Sequence, residues 1–182
     1  MSLKKRNKAD QVKFDFKIER AKMIKKARKK VPYNIAAFDQ ATICGVAYQI
    51  SGEEPKVELW DLKIGTNESK GFKWLRFESR VKDFIKEKNI KVLAYELPNG
   101  RNTNPLLHSA KLICCIEKVC AELSVEFVEF SSSEVKKFAT GNGIANKDLM
   151  KEFAERLWGY EGDDDNEADA LHILHYLKVK IS

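Results

Sequence analysis

The sequence predicts an α/β domain with a five-stranded mixed sheet flanked by helices, carrying a basic N-terminal arm. Three observations predict it. Three strand-like segments follow one another between residues 34 and 64 with turn residues between them. Two later apolar segments, 92–96 and 125–128, are separated by a long helical stretch, and amphipathic helices account for most of the rest. At 182 residues the chain is long enough for one such domain and short for two.

Residues 1–32 form the arm, read as partly helical or disordered because its apolar positions are sparse. It holds 13 Lys and Arg against 3 acidic groups, a net of +10, while the rest holds 20 against 24, a net of −4. Pro32 ends it, since the residue before a proline is pushed out of the helical region. A block such as Lys25, Lys26, Arg28, Lys29 and Lys30 releases counterions on meeting phosphates, so Lys29 and Lys30 are candidate nucleic-acid contacts. A solvated tail that only aids solubility is the alternative.

Residues 33–182 form the domain. Its first strands are read at 35–39, 45–50 and 57–64. Trp74, Phe77, Val81 and Phe84 or Ile85 then recur at helical spacing and place one face on the sheet. The segment 92–96 is a central strand that delivers Glu96 at its tip, before Pro98 and Gly100. In the next helix Leu106, Leu107, Ala110, Ile113, Cys114, Ile116, Cys120 and Leu123 make an apolar surface wider than one sheet contact needs, which leaves material for a subunit interface. A strand at 125–128, a short helix at 133–139 and a Thr140-Gly141-Asn142-Gly143 loop follow. Asn146 caps a helix through Leu149, Met150, Phe153 and Leu157, Gly159 and Gly162 stop it, and the last helix starts near Asp164.

No apolar run approaches the length of a membrane span, and no apolar segment follows the N-terminal charges as in a secretory signal. The expected location is the cytoplasm, with no membrane partner. Cys44, Cys114, Cys115 and Cys120 lie in apolar surroundings without a zinc-ligand pattern, so buried free thiols are expected.

Asp39 ends the first apolar strand, Glu96 ends the fourth, and Asp169 interrupts the apolar stripe of the last helix. Each alone reads as a hydrogen-bonded buried acid. Together, if the first and fourth strands are neighbours, they repel unless a cation or proton intervenes. Magnesium answers, because it takes oxygen ligands and keeps waters that substrate phosphate can replace. Two such ions about 4 Å apart hold both the attacking and the leaving oxygen of a phosphodiester hydrolysis. On a helix Asp165 and Asn166 share the face of Asp169, so both are candidate ligands and catalytic residues. Asp163 and Asp164 are read as complementing the helix dipole, and His172 and His175 as helix surface.

Four segments resemble the RuvC family of Holliday junction resolvases, from about Asn34 to Tyr176. They are Ile35 to Asp39 with Gly45-Val46-Ala47, Leu93-Ala94-Tyr95-Glu96, the run Val135-Lys136-Lys137 through Thr140-Gly141-Asn142-Gly143 to Asn146-Lys147, and Asn166-Glu167-Ala168-Asp169-Ala170-Leu171. The resemblance implies a ribonuclease H-like fold and a homodimer that binds four-way DNA junctions and nicks them with magnesium or manganese. It also implies that Lys136 and Lys147 face DNA near the scissile phosphate, Lys147 with a catalytic part. Lys137 and Asn142 join them on physical grounds, since lysines around a Gly-Asn-Gly loop with free amides can cradle phosphate. The chain departs from the family in having Asn166 where an acid or histidine is usual, Gln40-Ala41-Thr42 after the first acid, and no aromatic close behind Glu96. A related nuclease acting on flaps, forks or RNA–DNA hybrids is the alternative reading, and a non-catalytic nucleic-acid-binding protein a third. No helicase partner is legible.

Overall fold

A computed structural model describes residues 8–98 and 103–182; residues 1–7 of the arm and residues 99–102, with Gly100, lie outside the described residues. The elements in order are α1 (Lys8–Ala27), β1 (Ile35–Asp39), β2 (Ile43–Gln49), β3 (Lys56–Asp61), α2 (Lys70–Lys88), β4 (Val92–Leu97), α3 (Thr103–Leu123), β5 (Glu126–Ser131), α4 (Ser132–Thr140), α5 (Lys147–Trp158) and α6 (Asp165–Ile181). The strands form one sheet in the order β3-β2-β1-β4-β5. β2 is antiparallel to β1 and β3, while β1, β4 and β5 run parallel, so the sheet is mixed.

Local chemistry ends each helix where the sequence changes. Ser69 caps α2, Ser131 and Glu134 form a capping box on α4, and Asn146 caps α5 by accepting from the Leu149 amide at 3.0 Å. Gly141 and Gly159 end α4 and α5 in the left-handed region, at φ 87° and 69°.

Strand alternation sorts side chains into two cores. Ala36, Phe38, Val46, Leu93 and Tyr95 pack with α2 and α3, around edge-on contacts of Phe38, Trp60, Phe77 and Phe84. Ile35, Ala37, Ala47, Val92 and Ala94 pack on the other face with α6, and α1, α4 and α5 close over it. The last helix is therefore buried almost all round: His172, Ile173, Leu174, His175, Leu177 and even Lys178 are buried.

Three expectations change. The arm, read as partly helical or disordered, carries the helix α1 as far as Ala27, and Ile24 and Ala27 leave solvent to enter the core with Val31. Its basic side chains find carbonyls at helix ends. Arg20 donates to Phe138 O and Ala139 O of α4, Lys26 to Val179 O of α6 at 2.7 Å, and Arg28 to Leu157 O of α5 at 3.2 Å. A helix C-terminus carries partial negative charge and unpaired carbonyls, so cations settle there. The histidines are not on the surface. Trp158 Nε1 donates to His172 Nδ1 at 3.0 Å, which leaves Nε2 to donate to Met150 O at 2.9 Å and fixes the neutral tautomer. His175 stacks on Trp158 with ring centres 3.7 Å apart. Of the thiols, Cys44 and Cys120 are buried, but Cys114 is exposed because it falls on the outer side of α3.

Candidate active site

Period-two alternation aims two carboxyls at α6. Ile35 and Ala37 face that layer and Asp39 continues their set; Val92 and Ala94 do so on β4, and Glu96 continues theirs. The parallel register puts Ala37 beside Ala94 and Phe38 beside Tyr95, so one residue on, Asp39 stands beside Glu96 at the end of the sheet.

The third carboxyl comes from above. Gly45 is the cross-strand partner of Asp39, and a Cβ there would lie 1.9 Å from Asn166 O. Glycine alone lets the first turn of α6 rest on the backbone of β2, one strand away from Asp39, and Asp169 follows one turn later. Asp164 caps that turn by accepting from the Asn166 amide at 2.8 Å, and Asp163 pairs with Lys151 at 2.9 Å.

The electrostatics record the crowding. Burial, then the charges of Asp169 and Glu96, hold the Asp39 carboxyl well above the usual carboxylate range, against the pull of Lys147. Asp169 is pushed up to about 7 by burial and then by Glu96, with Lys136 and Lys147 opposing. Burial also raises Glu96, countered by a hydrogen bond with Ser132 and the charge of Lys136. Asp169 Oδ1 is buried and has no hydrogen-bond partner among the described residues. Uncompensated buried carboxylates are costly, so this site is built to meet positive charge.

The remaining candidates divide. Lys147 opens α5, reaches Asp165 Oδ2 at 3.0 Å and feels Asp169 and Asp39. Lys136 approaches from α4, acting on Glu96 and Asp169. Lys137 points elsewhere, over the Phe16 ring at 4.7 Å, since adjacent helix residues do not share a face. Asn142 builds its loop, accepting from the Ile144 amide at 3.1 Å. The Asn166 side chain donates to Asp164 Oδ1 at 3.0 Å and so serves the cap. Lys30 donates to Gly52 O at 2.7 Å, in the β2–β3 turn. That turn lies beyond the Ile35 end of β1, because Ile35 pairs with Gln49, so Lys29 and Lys30 sit at the end of the sheet opposite Asp39.

Three contributors were not singled out from the sequence: Gly45, Ser132 and Gln40. Buried Gln40 donates to Glu96 O and to Ser109 Oγ at 3.2 Å, tying the tips of β1 and β4 to α3. The departure Gln40-Ala41-Thr42, with an amide directly after the acid, was the available signal. A cavity of about 640 Å3, lined by Arg28, Trp158, Tyr160, Leu171, His175 and Lys178 among others, opens on another face of α6 and takes no part in this site.

A mixed sheet whose central parallel pair delivers two carboxylates beneath a helix bearing a third is the ribonuclease H-like class of fold. Within that class the chain has the fold of RuvC. It is similar to the structure of Thermus thermophilus RuvC, with 19% identity and a TM-score of 0.64 over 79% of this chain and 92% of that one. It is similar to T. thermophilus RuvC in complex with Holliday junction substrate, with 18% identity, a TM-score of 0.67 and the same coverage of 79% and 92%. The yeast mitochondrial Holliday junction resolvase Ydc2 matches at 12% identity and a TM-score of 0.58, over 90% of this chain and 87% of that one. No protein-family model and no curated relative matches the chain.

Proposed function

We propose that this protein is a metal-dependent, structure-selective endonuclease that resolves four-way DNA junctions by phosphodiester hydrolysis. The observation that carries the reading is the gathering of Asp39, Glu96 and Asp169 at one end of the sheet, half-buried, mutually repelling and flanked by Lys136 and Lys147. The shared fold with a RuvC solved on a Holliday junction substrate supports the choice of DNA.

The donor set fits a hard divalent cation: carboxylate oxygens, one of them the unpartnered Asp169 Oδ1, with the nearby histidines buried elsewhere. Among the described residues no three His, Cys, Asp or Glu side chains stand close enough together to hold a metal ion as they are placed. Magnesium and manganese take a few carboxylates and leave the rest of their shell to water and phosphate. Asp39, Glu96 and Asp169 would hold the metal, with Asp165 as the fourth ligand once Lys147 turns from it to phosphate. When bound, a pair of such ions supplies Lewis acidity at the phosphoryl group and a more acidic attacking water. Lys136 and Lys147 position the strand by pairing with its phosphates. Gln40 and Gly45 act on geometry, the first by tying two strand tips together, the second by letting α6 approach.

Two like cuts across a junction with two-fold symmetry call for two sites, hence a homodimer. Phe72 and Leu75 on α2 and Leu106 and Leu107 on α3 are exposed and supply an apolar surface for the second copy. The four thiols suit a cytoplasmic location.

The test compares cleavage of four-way junctions, flaps, RNA–DNA hybrids and plain duplex, with and without magnesium, using Asp39→Asn as control. Junctions are expected to be cut fastest and only with the metal. Junctions cut no faster than duplex would replace this reading with that of a less selective nuclease. Gly45→Ala, which drives a methyl into Asn166 O, is expected to cost roughly 1–3 kcal/mol of stability. Cleavage should fall by roughly a hundredfold as Asp169 shifts with the helix. Calorimetry and single-turnover rates check both, and an unchanged rate would detach the α6 approach from catalysis.

A further inference from the structure

Next to the acidic end of the sheet, five side chains from α2, α3 and the β1–β2 turn form a cationic and aromatic cluster that the proposed chemistry does not use. Lys73 Nζ lies 3.4 Å from Thr42 Oγ1 and 3.3 Å from His108 Nε2, and those two atoms are 3.3 Å apart. Lys73 and Lys111 both stand over the Trp74 ring, at 5.7 and 5.6 Å, and the His108 ring lies 5.2 Å from it. Two ammonium groups and an imidazole thus crowd one indole.

Inside the protein the positive charge is answered only in part, by Asp61 at a distance. Among the described residues neither Lys73 nor Lys111 forms a salt bridge, whereas Lys118 on the same helix pairs with Glu78 at 2.8 Å. Burial lowers the Lys73 ammonium, and only Asp61 acts in the other direction. His108 is lowered by burial and then by both lysines, so its ring stays neutral and serves as a hydrogen-bonding group. Cation–π contacts at exposed sites give about 0.5–1 kcal/mol each and do not cancel the repulsion between the two cations. α2 and α3 also point their N-termini this way, adding partial positive charge.

The position relative to the carboxyls is set by covalent and hydrogen-bonded links. Thr42 is three residues past Asp39, a reach of at most about 10 Å. Gln40 ties the same turn to Glu96 O and to Ser109, the neighbour of His108. Phosphates along one strand of duplex advance about 3.4 Å per nucleotide, so this span covers two or three of them.

We propose that Lys73 and Lys111, with Thr42 and Trp74, bind a second backbone phosphate two or three nucleotides from the scissile one, and thereby fix where along the strand the cut falls. The assignment rests on the nuclease reading above. It gives a function to the turn in which the chain departs from the family it resembles.

The test uses the full chain, a fluorescent four-way junction and the Lys73→Gln/Lys111→Gln double variant. Affinity at moderate salt should fall by roughly tenfold, and the slope of log affinity against log salt should flatten by about 0.9, the loss of one phosphate contact. Cut positions should spread over neighbouring nucleotides. The melting temperature should hold or rise, since repulsion is removed, and Lys73→Arg/Lys111→Arg should recover the wild-type slope. Junctions with one uncharged methylphosphonate linkage locate the contact. At one position, two or three nucleotides from the cut, the linkage should weaken wild-type binding as the double variant does and weaken the variant no further. An unchanged salt slope, or losses that add at every linkage, would overturn the proposal. A wild-type protein that cuts no branched DNA would instead overturn the nuclease reading, so the two failures are told apart.

Discussion

Replacing Asp39 or Asp169 by its amide is expected to lower junction cleavage at least a thousandfold, roughly 4 kcal/mol of barrier, while binding of the junction is retained. The amide keeps the shape and removes the charge that would hold the metal. It also removes a cost. Asp169, pushed up to about 7 in the fold, is ionised there against burial and the charge of Glu96. In the unfolded chain it titrates near 4, so only above about pH 7 does the fold carry the full cost of its charge. Between those values the folded state binds the extra proton, so metal-free stability declines as pH rises from about 4 to about 7 and then levels off. Asp169→Asn should flatten that decline and raise metal-free stability at pH 8 by on the order of 2 kcal/mol. Added magnesium should stabilise the wild type more than the variant. Melting curves at several pH values, beside single-turnover rates, check the set; a variant that melts lower than the wild type, or still cuts, contradicts it.

Deleting residues 1–30 is expected to lower the melting temperature by roughly 10–20 °C, from a loss of about 5 kcal/mol. The deletion strips Ile24 and Ala27 from the α6 face of the core. It also removes Arg20, Lys26 and Arg28 from the ends of three helices, contacts worth about 0.3–1 kcal/mol each. Calorimetry of the truncated chain decides it. A melting temperature within a few degrees of the full chain would mean that α1 is only an appended tail.

Much of the sheet could be read from local pattern. The strands at 35–39 and 92–96 alternate or run apolar and end in acids, and both the order of elements and the mixed sheet follow from such runs. Cap chemistry was equally local, as Asn146 and Asp164 show. What escaped was partnership. The sparse apolar positions of α1 look like a tail until α4 and α6 meet them. His172 and His175 look like helix surface until Trp158 covers them. Lys136 and Lys137 read as equivalent neighbours until Phe16 claims one of the two.

The sequence by itself determined the periodicities, the caps and the three acids, two at strand ends and one inside an apolar stripe, because each depends on residues a few positions apart. Only the tertiary structure decided that Asp39, Glu96 and Asp169 meet, that the arm's charge closes helix ends and that Lys73 and Lys111 crowd one indole. Those outcomes depend on which distant faces come together, and burial and repulsion act only once they have.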